Sequence, residues 1–377
     1  MSIFLFQQIN RAQHIGLTMD GDSGNHNGSN YDDYSEYEPD PAPEFFNITD
    51  HATSTPSNEH LMKIIAILLY TTTFVLGVCG NGLVIWMTGF KMKRTVNTTW
   101  FLSLAIADFI FCVFLPFSIV HAAYDFHWHF GLVMCKMNSF IMCLNMFASV
   151  FILTIISIDR CLSVVLPVWS QNNRTARRAG GLVVTAWLAS ALLSTPSLVL
   201  RDIHVENEKI ICFNNYNLTA DTSQAVNKYH KAVVFTRFFF GFLLPVIVIV
   251  ICYSIIVRNL KKNRLAKSSK PFKIIASIII TFFICWVPYH VFNILELNHR
   301  EIPHSALHHG IPIATGLLTA NSFLNPVLYV FMGKDFKKTF KLSVLSRLEN
   351  ALCEDTRTTS KHNSGMRSEL ERSSTAI

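Results

Sequence analysis

Charge is the scarcest feature of this sequence. Asp, Glu, Lys and Arg make up 15% of 377 residues while half are apolar, too little charge to clothe a soluble domain of that length. From Met137 to Ile158 there is no Asp, Glu, Lys, Arg or His. Residues 20–60 have no Lys or Arg. Catalytic signatures are also missing: the chain contains no HExxH, no GxSxG and no paired aspartates in facing apolar segments, which argues against an enzyme. It shows no internal repeat and no matched broken apolar segments, as a transporter would.

Seven long apolar runs are present: Ile64–Phe90, Thr95–Val120, Met137–Ile158, Ala179–Leu200, Ala232–Val257, Ile274–Leu295 and Gly310–Gly333. Each is long enough to cross a bilayer as a helix, and none carries the polar stripe of a soluble helix. The fold class is therefore an all-α membrane protein, a seven-transmembrane helix bundle over residues 61–332. Basic residues set its orientation. Lys91, Lys93 and Arg94 follow the first run; Arg174, Arg177 and Arg178 follow the third; Arg258, Lys261, Lys262 and Arg264 follow the fifth. The segment Tyr124–Gly131 has neither Lys nor Arg. The positive-inside rule places the basic loops and the C-terminus in the cytoplasm and the N-terminus outside, as in a multi-pass plasma-membrane protein. The net charge of +7 reflects this bilayer-facing asymmetry, so no nucleic-acid partner is expected.

Residues 1–60 read as a disordered, extracellular arm, acidic between 20 and 60, where ten acids have no base to balance them. Met19, just ahead of that acidic run, is a second candidate start. Sequons at Asn27 and Asn47 fall on the outer side, where glycosylation is expected. Tyr31, Tyr34 and Tyr37 each adjoin an acid. At the other end, "KDFKKTFKLSVL" alternates apolar residues with lysines, which predicts a short amphipathic cytoplasmic helix over 333–346. A disordered tail rich in Ser and Thr follows over 347–377, suited to phosphorylation by receptor kinases and recognition by arrestin.

Only Asp108 and Arg237 place a formal charge deep in a run. Insertion scales put the cost of each at about 2.5–3.5 kcal/mol, so each should face the bundle interior with a partner. Asn145 with Ser149, and Asn321 with Asn325, are spaced four apart and so share a helix face. With Asn81 they are expected to surround Asp108. That cage suits a small hard cation such as sodium, or a purely structural polar network. No other cofactor or metal is implied. Most cysteines lie within the runs and read as small apolar fillers. Cys135 and Cys212 fall on the outer side, where an oxidising compartment favours a disulfide between them.

"GNGLV" with Asn81, "LAIAD" with Asp108, "DRC" at 159–161, Trp187, Pro245, Tyr253, "CWVPYH" at 285–290 and "NPVLY" at 325–329 occur in order, each in its expected run. Together they resemble class A (rhodopsin-like) G-protein-coupled receptors over residues 60 to about 345. "VLPVWSQN", "NRLAKSSKPFKII" and "PSLVLRD" are most similar to the chemoattractant branch and, within it, to the chemerin receptors. The resemblance implies a receptor that binds the C-terminal peptide of a chemerin-like protein and signals through a heterotrimeric Gi/o-type G protein in chemotaxis and inflammation. It also implies an activation switch: Asp159 and Arg160 pair at rest, Arg160 turns toward Tyr253 on activation, and Trp286, Pro288 and Tyr329 take part. Many relatives hold the arginine with a second acid near the start of the sixth helix. Here that region reads "LAKSSKPFK", without an acid, so a less firmly held resting state is expected.

For ligand contact, Arg237 in the outer third of the fifth run suits a carboxylate. Arg201 and Glu296, at outer helix ends, are expected either to assist it or to be solvated rim charges. His121, Tyr124 and Asn293 complete the expected pocket. No acid lies in "SFIMCLNMF" to pair with Arg237 in the manner of formyl-peptide receptors, which disfavours formyl-methionine. A peptide or lipid carboxylate from another chemoattractant, and a scavenging receptor that does not signal, remain the alternatives.

Overall fold

A backbone crossing hydrocarbon must satisfy its own hydrogen bonds, and helix is the local way to do so. The computed structural model describes residues 56–206, 208–216, 223–262, 270–297 and 304–332. The first run forms α1 (Pro56–Trp86), which ends in a π turn at Met87–Lys91. The second is α2 (Val96–Ala123), started by a capping box in which Thr95 and Thr98 each bond the other's backbone N–H. Then come α3 (Gly131–Val165), the short loop helix α4 (Pro167–Asn173), and α5 (Ala176–Ser194), whose N-cap Thr175 accepts from Arg178 N. The fourth run breaks at Thr195, and Pro196 restarts it as α6 (Pro196–Leu200), the helix position where proline costs least.

The fifth run forms α7 (Ser223–Phe238), a π turn at Phe239–Leu243, and α8 (Leu244–Lys262). Pro245 has no N–H to offer the Gly241 carbonyl four residues back, so the regular ladder is interrupted at this point. A side chain at Gly241 would come within 3.1 Å of Met146 Cε; glycine lets this turn press against α3. The sixth and seventh runs form α9 (Lys270–Glu296), with Pro288 inside it, and α10 (His304–Met332). Six stretches among the described residues are long and apolar enough to cross a membrane, and α10 covers most of the seventh run.

The architecture is a seven-transmembrane bundle with α3 at its centre. The α3 helix packs against α2, α5, α6 and α8, while α1, α2, α9 and α10 close the other side. Its core residues Phe147, Val150 and Ile152 are completely buried. One element was not foreseen. Between α6 and α7 the chain forms an antiparallel hairpin, β1 (Arg201–Glu206) and β2 (Lys209–Asn214), with Ile203 opposite Cys212. The all-α expectation is corrected to this extent: the stretch is too short and polar to register as a span, and its β-branched residues pair only because the loop is tethered. One tether is the Cys135–Cys212 disulfide to the top of α3. The other is Trp128 N, which donates to Ile210 O at 2.8 Å. The expected disordered arm is shortened at its C-terminal end, because residues 56–60 form the first turn of α1; residues 1–55, the sequons Asn27 and Asn47, the amphipathic helix, the tail and the side chain of Tyr329 fall outside the described residues.

Candidate functional site

The end of the bundle beside the hairpin brings two arginines inward. Arg201, the first residue of β1, folds inward and is only 4% exposed. Its Nε donates to Ser139 Oγ at 3.0 Å and its Nη1 to the Cys212 carbonyl at 3.4 Å. Arg237, partly buried on α7, donates from Nη2 to Ser197 Oγ at 3.0 Å; that hydroxyl donates onward to Cys143 Sγ at 3.2 Å. The Tyr289 hydroxyl lies within hydrogen-bonding reach of the same guanidinium. Burial, reinforced by the Arg237 charge, pulls Arg201 down to about 10. Tyr216, stacked on His230 at 4.7 Å, is pushed up to about 12 by burial, against the pull of the two arginines.

No described carboxylate forms an ion pair with either arginine. Glu296, also 4% exposed, lies within electrostatic range of Arg201, and its Oε1 has no hydrogen-bond partner among the described residues. Arg201 and Glu296 are thus interior groups rather than solvated rim charges. Ser139, Ser197, Tyr216, Tyr289 and His290 belong to this pocket and were not singled out by sequence. Ser197 sits inside "PSLVLRD" and the pair Tyr289–His290 inside "CWVPYH", so the motifs held them without revealing which way they face.

Of three further expected pocket residues, only Tyr124 is turned out to solvent. His121 is buried edge-on against Phe126 and Trp128, at 5.6 and 5.4 Å. Tyr124 is exposed and meets His129 on the loop after α2. The loop after α2 turns through left-handed Asp125 and Phe126, while His121, on α2 before that turn, stays within electrostatic range of Arg201. Asn293 Nδ2 donates to the Tyr289 carbonyl of its own helix at 2.6 Å.

Beneath the pocket, Trp286 is 1% exposed, stacked on Phe282 at 5.7 Å and edge-on to Tyr289 at 5.7 Å. Lower still, Asp108 is fully buried and accepts from Asn325 Nδ2 at 2.8 Å. Ser149 Oγ donates to Asn145 Oδ1 at 3.4 Å, and Asn145 Nδ2 donates to Ser322 Oγ at 3.3 Å. Turning the Asn145 amide over instead places its nitrogen 3.3 Å from Asp108 Oδ1 and from the Ala107 carbonyl. Asn81 does not reach the carboxylate; its Nδ2 ties Gly77 O to Ser322 O, at 3.0 and 2.8 Å. Asn321 is buried, but neither of its amide atoms bonds to a described residue. Ser322, one position on, faces the network in its place.

At the opposite end of the bundle, Arg160 Nη2 lies 2.9 Å from Asp159 Oδ2 and also donates to Asn97 Oδ1. Arg174 joins them, Nε to Asp159 Oδ1 at 2.8 Å, Nη2 to Oδ2 at 3.0 Å, and Nη2 to Asn97 Oδ1 at 2.6 Å. Tyr253 lies close to Arg160, and its hydroxyl has no hydrogen-bond partner among the described residues.

Residues 80–329 match the family model "7 transmembrane receptor (rhodopsin family)". The chain is 52% identical over 312 residues to "Chemerin-like receptor 1" of Homo sapiens, covering 80% of this chain and 83% of the relative. To the protein of the same name from Sus scrofa it is 50% identical over 337 residues, covering 86% and 93%. To "Chemerin-like receptor 2" of Mus musculus it is 44% identical over 296 residues, covering 78% and 83%.

Proposed function

The chain belongs to the rhodopsin family of seven-transmembrane receptors, in its chemerin-like group, and from that premise we propose that it is a plasma-membrane receptor for the C-terminal peptide of a chemerin-like protein. It is a receptor and not an enzyme. The observation that carries the ligand reading is the pair Arg201 and Arg237. Two guanidiniums lie within electrostatic range of each other with only neutral hydrogen-bond partners among the described residues, and a free C-terminal carboxylate would supply the missing anion. Glu296 faces the same space and would take a ligand donor.

The ligand carboxylate would draw α6, α7 and α9 together above Trp286, and the bundle would pass that change to the Asp159–Arg160 pair. A ligand shifts such an equilibrium only by its preference for one state. Gi/o-type G proteins are the proposed transducers, with receptor kinases and arrestin acting on the cytoplasmic tail. The N-terminus is outside and the C-terminus inside on the strength of the basic loops.

The Asp108 network fits an allosteric sodium ion. Asn325 Oδ1 and Asn81 Oδ1 are buried without hydrogen-bond partners among the described residues, which leaves amide oxygens of this network without a donor. Asp108, Asn145, Ser149, Ser322 and Asn325 would hold it, which joins α2, α3 and α10 in one state.

A double-mutant cycle tests the ligand reading. Amidating a chemerin C-terminal peptide should weaken it on the wild-type receptor by about 3 kcal/mol, roughly 100-fold. On Arg237→Ala, normalised to surface expression, amidation should add little further loss. Independent effects of mutation and amidation would exclude Arg237 as the carboxylate partner.

A further inference from the structure

The span-6 segment that holds the switch arginine in many relatives carries no acid here, yet the switch arginine in this structure has a close competitor. Asp159 has two oxygens. Arg174 takes Oδ1 with Nε at 2.8 Å and Oδ2 with Nη2 at 3.0 Å, the paired-fork geometry in which arginine binds carboxylate most strongly. Arg160 reaches only Oδ2, at 2.9 Å. The other acceptor of Arg160, Asn97 Oδ1, is also shared, with Arg174 Nη2 at 2.6 Å. Every oxygen that holds Arg160 at rest is therefore also held by Arg174, and the two like charges repel.

Local structure fixes this competitor in place. Arg174 immediately precedes Thr175, the N-cap of α5, and its own N–H bonds the Ser170 carbonyl that ends α4. Asn97 sits in the first turn of α2, between Thr95 and Thr98 of the capping box. Loop and helix starts thus aim both side chains at one carboxylate on α3.

We propose that Arg174 is a positioning residue that lowers the cost of activation by keeping Asp159 and Asn97 paired when Arg160 departs. In a two-residue lock, release of the arginine strands a largely buried carboxylate, and stranding one partner of such a pair is costly. With Arg174 in place the carboxylate keeps both bonds and the amide oxygen keeps one. Arg160 leaves only shared contacts and moves toward the unpartnered Tyr253 hydroxyl. The absent span-6 acid and the present Arg174 then act in the same direction, toward a receptor that switches readily.

The proposal rests on the signalling role above, so its test reads the receptor with and without a G protein. An environment-sensitive fluorophore on the cytoplasmic end of α9, in purified full-length receptor in lipid nanodiscs, reports opening with no G protein present. Nucleotide exchange on added Gi reports signalling. The probe ligand is a chemerin C-terminal peptide with a free carboxylate. Arg174→Ala should lower basal exchange about threefold, raise the half-maximal peptide concentration about threefold, and shift the fluorophore toward its resting signal. Arg174→Lys, which keeps the charge but not the fork, should fall between, and it decides the matter if the alanine variant does not reach the membrane. In an Asp159→Asn background the effect of Arg174→Ala should disappear. Raised basal activity in Arg174→Ala, or an undiminished effect in Asp159→Asn, would overturn the proposal. So would an unchanged fluorophore with reduced exchange, which marks a direct G-protein contact. A peptide-driven fluorophore shift without exchange in the wild type would instead count against Gi coupling.

Discussion

Asn325 Nδ2 donates to Asp108 Oδ2 at 2.8 Å, joining two residues 217 positions apart and tying α10 to α2 in the fully buried centre of the bundle. The bond leaves Asn325 Oδ1 free of described partners, and the Asn145 amide, turned to present its nitrogen, lies 3.3 Å from Asp108 Oδ1. Replacing Asp108 by Asn removes the charge while keeping shape and hydrogen bonding. Agonist affinity in wild-type membranes should fall as sodium replaces a large organic cation, and Asp108→Asn should flatten that dependence with surface expression little changed. A sodium response that survives the substitution would leave the network purely structural.

The hairpin over the pocket hangs on Cys135–Cys212 and on the Trp128–Ile210 backbone bond. Disulfides contribute about 2–4 kcal/mol. Cys135→Ser and Cys212→Ser should lower surface expression and peptide binding equally, and the double variant should be no worse than either. Because Arg201 Nη1 bonds the Cys212 carbonyl, the loss of binding should exceed the loss of expression.

Gly77 brings α1 against α2 with no room for a side chain: a Cβ there would overlap Cys112 Sγ, which is wholly buried. Close approach through small residues is how membrane helices gain packing without a hydrophobic driving force. Gly77→Ala should destabilise the receptor by about 1–3 kcal/mol, seen as a lower Tm in detergent. Adding Cys112→Ala, which removes the overlapping sulfur, should recover much of that loss. A Gly77→Ala receptor as stable as wild type would mean the two helices separate freely.

The acidic arm carries ten acids and no Lys or Arg between residues 20 and 60, which suits electrostatic capture of a basic protein ligand. Deleting residues 20–50 should slow association with full-length chemerin, most strongly at low salt, and leave the rate for its short C-terminal peptide unchanged. Surface plasmon resonance on captured receptor measures both; equal losses would count against the arm as a capture device.

Long uninterrupted apolar runs left few conformations open in lipid, so the span count, the uncharged third run and the isolation of Asp108 and Arg237 were all readable from residue order. The pairing of Asp159 with Arg160 needed only adjacency on a helix. Cys135 and Cys212 could be matched because both fell on the oxidising side. These features depend on local sequence or on the sidedness of the membrane.

What the sequence could not decide were contacts set by helix rotation and by loops. Spacing put Asn321 and Asn325 on one face, yet Ser322 meets Asn145, because α10 is rotated by its packing against α1 and α9. Tyr124 ends α2 exposed to solvent and against His129 instead of beside the arginines it was expected to join. The π turn before Pro245 and the hairpin folding Arg201 inward have no periodic signature. Arg174 read as one more cytoplasmic charge until the caps of α2 and α5 set it against Asp159. Periodicity reports which face of an element is apolar; only packed helices and tethered loops determine which polar atoms meet across the gap.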